Sequence, residues 1–584
     1  MSIKTWLDVD WALCEQRVYR LQKRIFTASQ AENKGKVHFL QRKILCSLDA
    51  KLIAVRRITQ INKGRKIPGI DKKRIKNNKE KLLLARNLRI KGKASTIRAV
   101  CINKAGKDEK RSLGIPIIED RVLQMLVKLA LEPEWEAKFE PNSYGFRPGR
   151  NSHDAIRAVF NQSRHKSQFV LDADIRKCFE TISHQKLLKK LKTFPLIENQ
   201  MKAWLTAGIM EKYSLLGSDK SIPNPQGTPQ GSVISPLLAN IALHGMEDLT
   251  KEYYSKNFYK GPSKTTLKDR KSQIGLIRYA DDFVVLHKDE QVVHAIKALL
   301  STWLYKHMGL ELSSAKTSIK STDNGYEFLG FHITSLNVKE KNKPKCQISV
   351  SKTSKKKFLD KTRRIMQNNR AIAAGHLIIL LSPIIIGWSN YFKYAECSTS
   401  FGQVKYGLFG QVRAWVFRRK SLGLRSRTKL KEKYFPPNTT VKFNGKVHTG
   451  NWIFTGTVLG RRGNLKQVFL PYPSWVLAKR WVKVKQKSSP FDGQDIYWSH
   501  RNIQYCNWNK RTIRLVKLQN YNCPICQRIF MENDILEIDH IIPIALGGTD
   551  NIRNLQVVHD FCHVKKSTTD KKFIVEIRSP SLKI

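Results

Sequence analysis

Two adjacent carboxylates, Asp281 and Asp282, sit inside Ile277-Arg278-Tyr279-Ala280-Asp281-Asp282-Phe283-Val284-Val285-Leu286, between two short apolar, β-favouring runs. A pair of acids on a tight hairpin suits the holding of a hard divalent cation such as Mg²⁺. The same pair without context would be an ordinary polar turn, so a third acid is needed. Phe169-Val170-Leu171-Asp172-Ala173-Asp174 supplies one at the end of another apolar run, with Phe179 five positions further on. Asp174 and Asp281 could then share two Mg²⁺ ions, with Asp282 beside them. That is the chemistry of nucleotidyl transfer, in which one ion activates a hydroxyl and the other stabilises the departing pyrophosphate. Asp172 has no aromatic at the matching offset and reads as a polar strand residue.

The end of the chain carries a second set. Cys523-Pro524-Ile525-Cys526 and His559-Asp560-Phe561-Cys562 are C-x-x-C and H-x-x-C pairs, and the spacing predicts that Cys523, Cys526, His559 and Cys562 together hold Zn²⁺ tetrahedrally. Such an ion would staple a core too small to hold itself.

The elements that must position these residues can be read from hydrophobic period. Residues 6–58 repeat apolar positions at helical spacing, including Val18, Leu21, Ile25, Ile44, Leu48 and Leu52, with basic residues between. From about 97 to 333, strands around Phe169, Ile277 and Val284 alternate with helices around 122–131 and 292–304, an α+β pattern. Beyond Lys339 the composition changes: Lys355, Lys356, Lys357, Lys361, Arg363 and Arg364 crowd one helix whose apolar face carries Phe358, Ile365 and Met366. Residues 430–514 hold Pro436-Pro437, a Gly- and β-rich middle and the basic run Lys479-Arg480-Trp481-Val482-Lys483-Val484-Lys485.

Further blocks stand in one order along the chain: Asn62-Lys63-Gly64, Pro68-Gly69-Ile70-Asp71, Leu113-Gly114-Ile115-Pro116, Asn142-Ser143-Tyr144-Gly145-Phe146-Arg147-Pro148-Gly149-Arg150, Gly227-Thr228-Pro229-Gln230-Gly231-Ser232, Ser235-Pro236-Leu237-Leu238-Ala239-Asn240, Tyr279-Ala280-Asp281-Asp282 and Phe328-Leu329-Gly330-Phe331. With Gly387-Trp388-Ser389-Asn390-Tyr391-Phe392 after them, the chain resembles, over nearly its whole length, the reverse transcriptase/maturase proteins encoded in group II introns. Glu537-Ile538-Asp539-His540, Gly547-Gly548, Asn554 and the terminal Cys562-His563-Val564-Lys565-Lys566 resemble the HNH endonuclease module appended to many of them.

The resemblance implies a multidomain right-hand polymerase: an N-terminal helical extension (1–80), fingers and palm (81–340), a helical thumb or maturase domain (341–430), a DNA-binding region (431–515) and a ββα-metal HNH module (516–584). It implies that Phe179 lies under the sugar and rejects a 2′-hydroxyl, with a core aromatic as the alternative. Lys104 and Arg111, flanking a turn at Gly106, would reach the triphosphate, Gln230 would touch the incoming deoxynucleotide, and Lys316 would meet the pyrophosphate or be a surface lysine. In the nuclease, Asp539 and His563 would hold one divalent metal, Mg²⁺ or another. His540 would deprotonate the attacking water and Asn554 would brace the loop that carries His540. A zinc module that binds DNA without cutting it is the bland alternative. Trp388 and Trp415 fit core packing better than base stacking. Asn103 and Ser112 replace the prolines usual in the family, Lys72 a common glycine, and His559 a common cysteine.

Composition points to the same partners. The 584 residues carry 106 Lys and Arg against 47 Asp and Glu, net +59, a field whose natural partner is polyphosphate. Intron RNA, target DNA and deoxynucleoside triphosphates are the expected partners, and monomer and homodimer both stay open. The longest apolar run, 377–388, is interrupted by Ser382-Pro383 and reads as too short to span a bilayer, so no membrane segment is expected. Asp8, Asp10 and Glu15 disfavour a signal or transit peptide. Ten scattered cysteines imply a reducing interior, bacterial cytoplasm or an organelle that encodes the protein. The expected function combines RNA-directed DNA polymerase, splicing maturase and HNH endonuclease in intron mobility by target-primed reverse transcription. The alternatives are a splicing-only RNA-binding maturase and a reverse transcriptase recruited to another role such as defence.

Overall fold

The computed structural model describes residues 3–103, 110–210, 224–259, 261–262, 264–336, 344–419, 426–460, 463–505, 508–531 and 534–578, with the backbone alone at 110–111 and 576–578. The protein is a multidomain α+β assembly. At its centre lies a four-stranded antiparallel sheet in the order Gly275–Tyr279, Asp282–His287, Phe169–Asp174, Ser318–Ser321. Both faces are covered, which explains the continuous apolar runs. Leu171, Ala173, Phe283 and Val285 join one core, packed with the helices Ile118–Lys138, Ser235–Leu243 and Glu290–Met308. Val170, Ile277, Val284 and Leu286 join a second, with Tyr326, Phe331 and the helix Ser152–Ser163. The period of two along a strand puts Asp172 and Asp174 on the side of the second core, toward the open end of the sheet.

The N-terminal helices Trp11–Gln30, Lys34–Cys46 and Leu48–Arg56 pack on the helix Ile118–Lys138. The fingers hairpin pairs Ile97–Asn103 with Lys110–Ile115. The thumb consists of the helices Lys352–Asn368, Ala374–Phe392 and Ser398–Phe417, and its core extends through Phe454, Leu470 and Tyr472 of the hairpin region that follows. The segment beyond it, 479–501, is fastened to the palm by the fully buried Asp154, which accepts from Trp481 Nε1 at 2.9 Å, Val484 N at 2.8 Å and Arg501 Nη2 at 2.6 Å. The nuclease end is a hairpin, Leu536–His540 with Leu555–His559, followed by the helix Asp560–Arg578.

Two expectations need correction. The run 377–388 does not break at Ser382-Pro383: Ala374–Phe392 is one helix of 19 residues with Pro383 inside it, long and apolar enough to cross a bilayer by composition. Leu377, Leu381 and Ile385 bury one face of it in the thumb core. The boundaries drawn at 80/81, 430/431 and 515/516 fall inside the helices Asn78–Asn87, Arg427–Tyr434 and Lys510–Leu518. Leu515 and Val516 belong to the nuclease core, so that module begins earlier than its motifs do.

Candidate active sites

Tyr279 pairs with Asp282, which leaves Ala280 and Asp281 as a two-residue turn. Ala280 adopts a left-handed φ of 59°, a conformation an L-residue holds at a cost. Two other blocks impose it. Arg278, buried at 1 % exposure, donates from Nη1 to the Ala280 carbonyl at 3.1 Å and to Asn240 Oδ1 at 3.0 Å, and Asn240 Nδ2 donates to the Gly145 carbonyl at 2.8 Å. Gly145 lies flat on the turn: a Cβ there would stand 2.3 Å from the Ala280 nitrogen.

Register then sets Asp174 directly opposite Asp282, so three carboxylates gather at the end of the sheet. Asp282 is exposed at the first position of its strand, yet desolvation and the negative charges of Asp281, Asp174 and Asp172 push its pKa up to about 7, against the pull of Lys316. The Lys316 ammonium contacts Asp174 Oδ2. Carboxylates that crowd one another and have drawn in a lysine form a donor set suited to hard divalent cations. Asp172 pairs with Val284 one step deeper in the sheet, where burial pushes its pKa up to about 6.

Phe179 is 8 % exposed and stands edge-on to the exposed Phe146 ring at 6.2 Å. Its carbonyl accepts from Thr228 N at 2.5 Å, and Gly114 N donates to the Gln230 carbonyl at 2.7 Å. The Thr228-Pro229-Gln230 segment therefore ties the Phe179 turn to the fingers hairpin, with Gln230 half-buried between them. Lys104 lies outside the described residues, and at Arg111 only the backbone is described, opposite Ile102.

In the nuclease, the ligand atoms of Cys523, Cys526, His559 and Cys562 all lie within 4.8 Å of one another. His559 turns Nδ1 toward the thiols, 3.4 Å from Cys526 Sγ, while Nε2 stands 3.1 Å from Asp534 Oδ2. A carboxylate behind a histidine fixes its tautomer and orientation for a metal, so this soft, buried set fits Zn²⁺. On the other face, His563 Nε2 is 3.6 Å from Asp539 Oδ1, and His563 Nδ1 is 2.5 Å from Glu537 Oε2. Lys566 Nζ lies 3.3 Å from Asp539 Oδ2 and donates to the His540 carbonyl at 2.8 Å. Here too a lysine leans on the acid. His540 Nε2 is 3.4 Å from Asp550 Oδ1. Asn554 holds both ends of the following loop: its Oδ1 accepts from Ile542 N at 2.9 Å, and its Nδ2 donates to the carbonyls of Ile542 at 3.0 Å and Thr549 at 2.9 Å.

Sequence reasoning did not single out Arg278 or Asn240 as scaffolds, nor Asp534 or Glu537. Only Glu537 carried a usable signal, since it lies two residues before Asp539 and so shares its strand face.

Comparison with known proteins agrees in its order along the chain. The family described as N-terminal domain of reverse transcriptase matches residues 6–88, reverse transcriptase (RNA-dependent DNA polymerase) matches 102–333, group II intron, maturase-specific domain matches 355–435, and HNH endonuclease matches 523–569. Protein YkfC of Escherichia coli (strain K12) is 29% identical over 54% of this chain and 88% of its own length. Maturase-like protein 1 of Euglena gracilis is 26% identical over 68% of this chain and 79% of its own. The group II intron-encoded protein LtrA of Lactococcus lactis subsp. cremoris is 28% identical over 41% of this chain and 46% of its own.

Proposed function

From a chain that belongs to the reverse transcriptase/maturase family of group II introns and carries a C-terminal HNH endonuclease domain, we propose a protein that helps its intron RNA splice and then copies that RNA into DNA. It is an RNA-directed DNA polymerase and a nuclease that acts with divalent metals. The observation that carries the reading is the cross-strand pairing of Asp174 with Asp282 beside Asp281 at the hairpin tip.

Asp174, Asp281 and Asp282 are the residues to hold Mg²⁺, which when bound lowers the pKa of the primer hydroxyl and offsets the charge of the departing pyrophosphate. Lys316, released from Asp174, would turn to the pyrophosphate. Phe179 would exclude a 2′-hydroxyl, Gln230 would contact the incoming deoxynucleotide, and Lys104 and Arg111 would grip its phosphates. In the nuclease, Asp539 and His563 would bind one divalent ion at the scissile phosphate. His540 would take the proton of the attacking water, and Asn554 would keep that imidazole aligned. Cys523, Cys526, His559 and Cys562 would hold structural Zn²⁺.

The thumb and the basic region after it would hold intron RNA and target DNA, so that a nick by the nuclease leaves the 3′-hydroxyl that primes synthesis. Relatives in a bacterium and in Euglena fit a site of action in bacterial cytoplasm or an organelle. Primer extension on an RNA template with Mg²⁺ and deoxynucleotides tests the reading. Wild type should extend and Asp281→Ala should not; a folded wild type that cannot extend would overturn it.

A further inference from the structure

A cavity of about 340 Å³ opens between the palm helix Ser152–Ser163, the strands Phe331–Leu336 and Lys345–Val350, and the segment at 478–481. Neither set of carboxylates borders it. Its wall is aromatic: Phe160 and Tyr394 line it half-buried, with the almost wholly buried Phe331 and Trp481, and Arg157, Lys479 and Arg480 line it as well. The Arg157 guanidinium lies 4.4 Å from the Phe160 ring centroid. Desolvation lowers the Arg157 pKa, and the charges of Arg480 and Arg164 lower it further, so the two cavity guanidiniums feel one another. Among the described residues no carboxylate pairs with either. The one acid at the cavity, Glu396, is engaged from outside it by Gln347 Nε2 at 3.0 Å and Lys345 Nζ at 3.6 Å.

Two like charges beside an aromatic wall, with no carboxylate paired to either and the one lining acid engaged elsewhere, suit an anion that also carries a flat apolar body. A phosphate accepts the forked donors of two guanidiniums, and a nucleobase offers a π-face to the wall. The volume falls in the range of ligand sites rather than packing defects. We infer that this cavity binds one unstacked nucleotide, with its base against the aromatic wall and its phosphate between Arg157 and Arg480. The choice of ligand rests on the reading of the chain as a nucleic-acid enzyme; the cavity and its charges do not. The nucleotide is either free in solution or turned out of a bound strand.

The two sources separate in one experiment on the full chain. 2-Aminopurine riboside 5′-monophosphate, and a single-stranded RNA with one internal 2-aminopurine, are each titrated while their fluorescence is followed, since stacking on aromatic rings quenches it. Quenching of the free nucleotide identifies a mononucleotide site, and quenching of the strand alone identifies a turned-out base. Arg157→Gln and Arg480→Gln should each weaken the quenched complex by about tenfold, the loss expected for a hydrogen bond to a charged group. Lys202→Gln, which removes an exposed charge elsewhere, should not. No quenching with either probe, or equal weakening by Lys202→Gln, overturns the site. Primer extension by wild type and Lys202→Gln, run in parallel, should be equal; failure in both would count against the polymerase reading and not against the cavity.

Discussion

Arg56 and Asp560 form an ion pair in which one guanidinium nitrogen, Nη2, reaches both carboxylate oxygens, at 2.7 and 2.8 Å, and this pair joins the N-terminal extension to the first residue of the nuclease helix. Glu15 receives Arg56 Nη1 at 3.3 Å and Arg528 Nη1 at 2.8 Å, and the Arg56 guanidinium lies 4.8 Å from the Trp11 ring and 5.0 Å from the Phe561 ring. Asp560 and Arg528 flank His559, Cys562 and Cys526 of the Cys/His cluster. The nuclease is therefore docked by the end that carries this cluster. Arg56→Ala would leave Asp560 without that partner and cost the interface about 1.5 to 3 kcal/mol, the range for hydrogen bonds to charged groups. Amides of 516–578 should exchange faster and the module should be clipped sooner by protease, while primer extension holds; unchanged protection would show that the docking lies elsewhere.

Glu140 gives the palm an acid-sensitive anchor. Its side chain accepts from the backbone nitrogens of Gly245 and Glu247, each at 2.8 Å, and His244 Nδ1 is 3.5 Å away. Burial alone would raise its pKa, but the bond with His244 and the charge of Arg278 outweigh burial and hold it at about 2. A depressed carboxylate contributes stability above its unfolded value of 4.5, and that stability is lost as pH falls toward 2. The contribution is about 3 kcal/mol. Glu140→Gln should lower the denaturant midpoint near neutrality and flatten the acid limb between those pH values. An acid limb as steep as that of wild type would assign the loss to other groups.

What the sequence discloses and what it hides divide along contact range. The apolar runs ending in Asp174 and flanking Ala280-Asp281 are strands because β-favouring side chains and a turn are local properties. Local rules also misled: Pro383 within a helix costs about 3 kcal/mol, and burial of Leu377, Leu381 and Ile385 against the thumb core offsets it. The scaffold of the turn was not legible, since Arg278, Asn240 and Gly145 meet only after the palm has closed. Asp534 illustrates the same limit. A histidine at 559 needs an acceptor for its second nitrogen, and nothing in the spacing says which residue will supply it.

That acceptor is open to test. An outer carboxylate on a ligating histidine typically contributes 10- to 100-fold in metal affinity, so Asp534→Ala should release zinc to a competing chelator at correspondingly lower concentration. The far-UV spectrum of the palm and thumb should persist, and primer extension should be unaffected. Retention of zinc at wild-type affinity would mean that His559 is held by its packing against Phe561, whose ring stacks on it at 4.9 Å.

The turn that carries Asp281 makes the sharpest demand on a single residue. A Cβ at Gly145 would fall 2.3 Å from Ala280 N and 2.9 Å from both Ala280 Cα and Cβ. Gly145→Ala must therefore push the turn away without touching any carboxylate, and displacement of reacting groups by about 1 Å costs on the order of 100-fold in rate. Primer extension should fall by about that factor while DNA nicking by the nuclease is retained. Ala280→Gly alone should be well tolerated, because glycine adopts φ 59° freely. The double variant should stay as impaired as Gly145→Ala, since the closest clash is with a backbone nitrogen that Ala280→Gly leaves in place. Rescue by the second substitution would show that side-chain crowding, not backbone approach, fixes the position of Asp281.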